Sequence, residues 1–359
     1  MPRSLRIISC LLLLLTARHA AAKSDGELIF PVGSTSFPSS HASTLVELKD
    51  GALLAAWFGG TAEGKPDVAI WSSSHTSHGW SIPKELAREK NIPCWNPVLF
   101  HTRDGRLWLY YKFGPSPSEW TAARKFSSDE GTTWSQPERL PAGLIGPVRA
   151  KPLVLSDGAI VSGSSIESYL SWAAWIERST DEGKTWTKIG PFVPIRTAQS
   201  VISSDPKNPE PSNADTEKTY GIIQPSVVSL GGSHLRFYAR STPQIARICA
   251  ADSYDNGRTW TQPHPLEIFN PNSGIDAIAL RDGRVVLIYN DTPQGRSPLN
   301  LAISEDAEHF KMFSTLESEP GEYSYPAIIQ TKEGSLEITY TWNRKSIRHI
   351  HIPLADVPK

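Results

Sequence analysis

Sulfur is scarce in this chain, which has three cysteines and two methionines among 359 residues. Cys10 sits in an N-terminal apolar run, leaving Cys94 and Cys249 for the fold. Two cysteines cannot make a disulfide scaffold, and no CxxC or His-Cys cluster suggests zinc. One disulfide remains open, and two buried free thiols are the preferred expectation. An excess of charge is missing too, since 36 Lys and Arg face 37 Asp and Glu. That balance leaves no nucleic-acid footprint and no basic membrane-binding face. After Leu15 nothing is apolar enough for a membrane span. The run from Ile7 to Leu15 follows Arg3 and Arg6 and precedes Ala20-Ala21-Ala22, the layout of a secretory signal peptide over 1–22, cleaved near Ala22. Its removal takes Arg3, Arg6 and Arg18 and no acid, leaving 33 basic against 37 acidic residues. The expected product is a secreted or periplasmic monomer with one domain over 23–359, large enough to bury a core without staples. No metal or organic cofactor is implied.

What is present is a repeat. Ser-x-Asp-x-Gly-x-Thr-Trp occurs at Ser127–Trp134, Ser179–Trp186 and Ser253–Trp260, with worn copies ending at Trp80 and Phe310. The aromatic ends are spaced by 54, 52, 74 and 50 residues. A second pattern, a tight turn before an apolar strand, runs in phase with it. It appears at Asp50-Gly51, Asp104-Gly105, Asp157-Gly158, Gly231-Gly232, Asp282-Gly283 and Glu333-Gly334. Asp-Gly between β-rich runs is a hairpin signal, and the Asp box is a turn device whose Ser and Asp bond turn amides. The long period holds a polar, proline-rich stretch from Ser203 to Asp215, which reads as a surface insertion. Six copies of about four strands each predict an all-β, six-bladed β-propeller with four antiparallel strands per blade. Ring closure is expected between the Glu27-Leu-Ile-Phe strand and the Ile347-Arg-His-Ile-His-Ile strand.

The strand before each turn should line the central channel. Aligning the apolar starts of those strands places His41, Asn96, Lys151, Gln224, Asp276 and Tyr325 at equivalent points around its mouth. The bland alternative is a water-filled channel with satisfied polar walls. The second strands end in loops carrying Glu63, Asp67, Lys112, Glu167, Arg240 and Arg296. Arginine clamps a carboxylate bidentately, so Arg240 and Arg296 beside Lys151 suggest an anion site.

With three Asp boxes, six turn–strand copies and site residues in this order, the whole mature chain resembles the sialidase (neuraminidase) superfamily, and within it a branch of secreted neuraminidase-like proteins. The resemblance implies a sugar carboxylate held by three arginines, a Tyr nucleophile paired with a Glu, and an Asp acid/base. Arg240 resembles the second arginine, Arg296 the third, and Tyr325 the nucleophile, with Tyr323 close behind. Other positions depart. His41 stands for the first arginine, Gln224 for the Glu partner of the tyrosine, and Tyr340 or Thr341 for the Glu that steadies the first arginine. Glu63 matches the acid/base better than Asp67, which begins a strand and is expected to order its turn. Gln224 cannot take a proton from Tyr325. Lys151 could lower the phenol's pKa, and His41, titrating near neutrality, could serve as base or acid.

The primary expectation is an exo-acting glycoside hydrolase that removes a terminal carboxylated sugar from an acidic glycan. There Arg240 and Arg296, with Lys151, Lys112, Asn96, Asp276 and Tyr323 around them, bind the sugar. Glu63 donates the proton. A polysaccharide lyase acting on a uronic acid, with His41 or Tyr325 as base, tolerates Gln224 better. A non-catalytic carbohydrate-binding propeller is the third reading.

Overall fold

The structure, a computed structural model, describes residues 26–196 and 218–359. The expected leader and the Ser203–Asp215 insertion lie outside the described residues. Among those residues the fold is all-β, with five sheets, and no helix is long and apolar enough to cross a membrane.

Four sheets are separate antiparallel sets. One runs Ser39–Glu47, Leu53–Gly60, Ala69–Thr76, with Gly79–Trp80 and Lys84–Ala87 on its outer side. The next runs Cys94–His101, Leu107–Phe113, Thr121–Ser127, Glu138–Arg139, and another runs Asp276–Ala279, Val285–Tyr289, Leu299–Ser304, Lys311–Glu317. The last runs Tyr323–Gln330, Leu336–Trp342, Ser346–Ile352 and closes on the N-terminal strand Gly26–Leu28, with Glu27 opposite His349. The eight-stranded sheet joins two antiparallel sets, Leu153–Val154 to Thr187–Phe192 and Tyr220–Gly231 to His264–Phe269, through a short parallel bridge at Ser171–Tyr220 and Trp172–Gly221. Second strands such as Leu53–Gly60 and Leu107–Phe113 are buried along their whole length, whereas the outer strand Lys311–Glu317 has no buried residue. Each sheet is therefore covered on both faces near the centre and wetted at its edge.

The hairpin turns explain the Asp-Gly repeat. In each of the first three, Gly51, Gly105 or Gly158 donates its N–H three residues back, to Leu48, Thr102 or Leu155, at positive φ. Asp50, Asp104 and Asp157 accept from the N–H two residues on. Asp and Gly thus close a longer loop with a left-handed glycine rather than a two-residue turn.

The first strands carry a bulge. Register skips between His41 and Thr44, Trp95 and Val98, Ile223 and Ser226, and Ser324 and Ala327. A left-handed residue sits in each skip: Ala42 (φ 55°), Asn96 (37°), Gln224 (57°) and Tyr325 (51°). Three of them precede proline, where positive φ is disfavoured. Bulges re-aim side chains next to sites, and these turn Asn96, Gln224 and Tyr325 out of the strand pleat.

Asp boxes hold the outer hairpins. At Ser127–Trp134 the Asp129 carboxylate accepts from Thr133 N (2.8 Å), Thr133 Oγ1 (2.6 Å) and Ser127 Oγ (2.7 Å), and Trp134 Nε1 donates to Gly131 O (3.0 Å). The same bonds recur around Asp181 and Asp255. Thr hydroxyls hold Asp129, Asp181 and Asp255 down to about 2. Cys94 and Cys249 are buried free thiols, and burial pushes Cys94 up to about 12.

Asp181→Ala and Asp255→Ala should each lower Tm by about 2–4 °C, the shift expected when hydrogen bonds worth on the order of 1 kcal/mol are lost from a large domain. Ligand affinity of the folded fraction should not change. Because these carboxyls are depressed in the fold, their contribution is present above the ordinary Asp range and lost as pH falls toward about 2. A thermal scan of parent and variants from pH 7 to pH 2 should therefore converge at the acid end.

Candidate active site

The four bulged residues, with Arg149 and Gly274, share one position in the repeat. Ala42, Asn96, Arg149, Gly274 and Tyr325 each lie eight residues before the first residue of the matching turn, Asp50, Asp104, Asp157, Asp282 and Glu333, and Gln224 lies seven before Gly231. Alignment on the apolar starts agrees with this count for Asn96, Gln224 and Tyr325. It slips by one at His41 and by two at Lys151 and Asp276, and so passes over Arg149. A Cβ on Gly274 would lie 3.3 Å from Tyr325 Cγ, so a side chain there would crowd the phenol ring.

Tyr325 is the centre of the site. Arg149, Arg240 and Arg296 place their guanidinium carbons 5.5, 5.6 and 5.5 Å from its ring centroid, within cation–π range. Arg240 Nη1 donates to Tyr325 Oη at 2.6 Å and to Gln224 Oε1 at 3.3 Å, and its Nε donates to Asn272 Oδ1 at 2.8 Å. Arg149 donates to Pro326 O, and its Nε is buried without a partner. Arg296 pairs with Glu322 at 2.7 Å. Arg149 and Arg240 are buried at 2 % and 6 % exposure, and neither has an ion-pair partner among the described residues. Two desolvated cations without an ion-pair partner give the site the electrostatics that suit an anion.

The mouth is more exposed. Glu322 also binds Arg344 (2.8 Å to Nε), and Arg344 reaches on to Glu63. Burial pushes the Glu322 carboxyl up, but Arg296 and Arg344 outweigh it and hold the group below its usual range. Glu167, partly buried at the end of Ile160–Ser168, goes the other way. Burial pushes it up to about 7, Arg240 pulls against that, and the Glu63 carboxylate adds to the rise. The opposite strand carries Trp172, whose ring lies 5.9 Å from the Arg240 guanidinium. His41, Phe58 and Trp95 form an aromatic wall at centroid spacings of 5.5 and 5.8 Å.

Several expectations need correction. His41 is not poised near neutrality: burial first, then the charges of Arg344, Arg296, Arg149 and Arg240, hold it well below its ordinary value. It is a neutral ring 4.4 Å from that of Tyr325, with Nδ1 on Thr341 Oγ1 (2.9 Å) and Nε2 buried without a partner. Thr341 Oγ1 also accepts from Ala42 N, so the His41 ring is tied by Nδ1 to the first and last sheets. Lys151 and Asp276 pair with each other at 2.9 Å, and Asp276 also accepts from Ser226 Oγ and Ile328 N. Both are tie points between first strands, and Lys151 faces a separate cavity of 290 Å³ beside Leu45, Leu99 and Ile329. Lys112 is fully buried and donates to Pro147 O and Asn96 O, bracing the bulge instead of meeting a ligand. Tyr323 is buried in the cluster around Ile338 and Tyr340. Asp67 accepts from Thr61 N and Oγ1, the turn-ordering role expected of it.

A family model described as a BNR repeat-like domain matches residues 51–338. The chain belongs to that family. Solved structures agree on the fold. The NanB sialidase of Streptococcus pneumoniae aligns at a TM-score of 0.70 and 14% identity, covering 92% of this chain and 71% of that one. The intramolecular trans-sialidase of Ruminococcus gnavus aligns at 0.68 and 14%, covering 94% and 99%. A protein of unknown function from Dyadobacter fermentans aligns at 0.72 and 16%, covering 93% and 99%. No curated protein matches the sequence. Within this family member, Arg149, Glu322 and Arg344 are the site residues that sequence reasoning missed. The turn-based count finds Arg149. No spacing rule finds the other two, whose partners come from remote segments.

Burial holds Lys112 at about 7, against an unfolded value near about 10.4. Between those values the unfolded chain binds more protons, so this group makes stability rise with pH. Lys112→Met should remove that limb. Measured as the parent-minus-variant difference in unfolding free energy, parent stability should gain on the variant from pH 7 to pH 10, with no change in acidic-sugar affinity.

Proposed function

We propose that this protein is an exo-acting glycoside hydrolase of sialidase type, acting on a terminal carboxylated sugar. The reading rests on the two buried, unpaired guanidiniums of Arg149 and Arg240, with Arg296 beside them, around one phenol. In it the five sheets make six four-stranded blades around an axis, the eight-stranded sheet counting as two, and the bulged residues ring the mouth. The 1–22 segment is a leader that exports the protein.

The three arginines bind the sugar carboxylate and fix the anomeric carbon over Tyr325. Arg240 can only donate to Tyr325 Oη, and Gln224 cannot accept its proton. The phenol therefore serves by steadying the oxocarbenium-like centre through its electron-rich oxygen. Glu167 is the proton donor to the leaving oxygen, because burial holds a proton on it into the neutral range. Glu63, exposed and tied to Arg344, is the reserve. Neutral His41 offers the sugar its Nε2, which is buried without a partner.

One observation favours elimination as a second reading. Arg240 donates to Tyr325 Oη at 2.6 Å, so the phenol oxygen sits beside a carboxylate-binding cation, the place a base needs in order to take the proton next to a uronic acid's carboxyl group. An acidic-oligosaccharide panel with products read by mass separates the readings. Gain of one water marks hydrolysis, fragments summing to the parent and absorbing in the near ultraviolet mark elimination, and intact ligand marks binding alone.

Arg149→Ala should weaken acidic-sugar binding by about 30-fold or more, the loss expected when one member of a buried charge contact is removed. Calorimetry with the folded variant checks it, and unchanged affinity contradicts the clamp. Glu167→Gln should abolish the limb of the pH–rate profile near pH 7 and spare activated aryl glycosides, whose leaving groups need little protonation. If Glu63→Gln shows that behaviour instead, the acid role passes to Glu63.

A further inference from the structure

A second cluster of chemistry lies at the seam where the chain ends meet, on the outer strands. Glu27 and His349 face each other across the pairing of Gly26–Leu28 with Ser346–Ile352. His75, from Ala69–Thr76 of the first sheet, closes the group. Glu27 Oε1 lies 3.2 Å from His75 Nε2 and 3.5 Å from His349 Nδ1, and the three donor atoms all fall within 4.8 Å of one another.

Those spacings have a specific meaning. A zinc ion takes His nitrogen and carboxylate oxygen at about 2.0–2.1 Å, so ligands at the corners of a tetrahedron stand about 3.3 Å apart. The rings are also held from behind. His349 Nε2 is 2.9 Å from Glu337 Oε2, which leaves Nδ1 to face Glu27, and a carboxylate behind a ligating imidazole is the usual supporting contact at such sites. Trp80 packs against both rings, at 5.0 Å from His75 and 5.1 Å from His349. The group opens onto a cavity of 660 Å³ whose wall includes Glu47, Asp50, Glu333 and Glu337, a negative lining that attracts a cation and leaves room for a water ligand.

We propose that Glu27, His75 and His349 form a site for a zinc-like divalent cation, with Glu337 as the supporting carboxylate, a fourth coordination position open to water, and a role in clasping the N-terminal strand and last sheet to the first. The cation binds through three protein ligands from three strands, two of them at opposite ends of the sequence. Without a metal, the same residues make only a hydrogen-bonded cluster, with His349 between the carboxylates of Glu27 and Glu337. The claim does not depend on what the arginine site does.

The test uses the full chain without a polyhistidine tag, stripped with a chelator and titrated with Zn²⁺ and Co²⁺ by calorimetry and visible absorption. The expected result is one equivalent bound, an intense four-coordinate Co²⁺ spectrum and a raised Tm. His75→Ala should abolish both binding and the Tm gain, and Glu337→Gln should weaken affinity about 10–100-fold. Circular dichroism confirms that the variants fold, and partly exposed His75 keeps the test usable if His349→Ala does not. No saturable binding, a weak six-coordinate Co²⁺ spectrum, or full binding by His75→Ala would each overturn the proposal.

Discussion

A guanidinium buried without a carboxylate is costly, because the charge loses its hydration and gains little in return. Arg149 and Arg240 are in that position, a few ångströms from the same phenol, while Arg296 alone has Glu322. The fold sustains this arrangement through rigid surroundings: carbonyl and amide oxygens from Pro326, Gln224 and Asn272, and strands buried on both faces. The charge imbalance also reaches the other titratable groups. It adds to the burial that keeps His41 neutral and holds Glu322 ionised, while burial keeps a proton on Glu167. Acid, neutral donor and anion clamp are thus one electrostatic system.

Backbone geometry puts these groups together. Left-handed residues at the bulges break the alternation of the first strands and present Asn96, Gln224 and Tyr325 where the sheets converge. Strain of this kind persists when surrounding structure over-determines it and clusters at functional positions. Lys112 and the Lys151–Asp276 pair, the polar groups expected to meet ligand, belong instead to the bracing of these bulges and strands.

The turn chemistry made much of the architecture legible. Asp boxes and Asp-Gly turns announce hairpins at a fixed period, and Glu27 pairs with the C-terminal strand as its apolar pattern suggests. Placement at the centre was less secure. The apolar starts of the strands drift, because Pro97, Pro225 and Pro326 follow the key residue where Ala150 follows Arg149. The turns drift less, by one residue at Gly231-Gly232, and counting back from Asp157 gives Arg149 directly. Glu322, Arg344 and Glu63 could not be assembled from sequence, since their network exists only after three distant loops meet. Nor does sequence reveal the neutrality of His41, which comes from burial first and then from four arginines supplied by separate segments.

The central claim is that the site is built around a sugar carboxylate. Its most direct test is calorimetric binding of terminal acidic sugars, N-acetylneuraminic and glucuronic acid glycosides among them, beside their methyl esters, which keep the shape and remove the charge. At least one acid should bind with its ester weaker by about 30-fold or more, as expected for loss of one partner from a buried charge contact. Equal affinity of acid and ester across the panel, or no binding of any acid, would contradict the account.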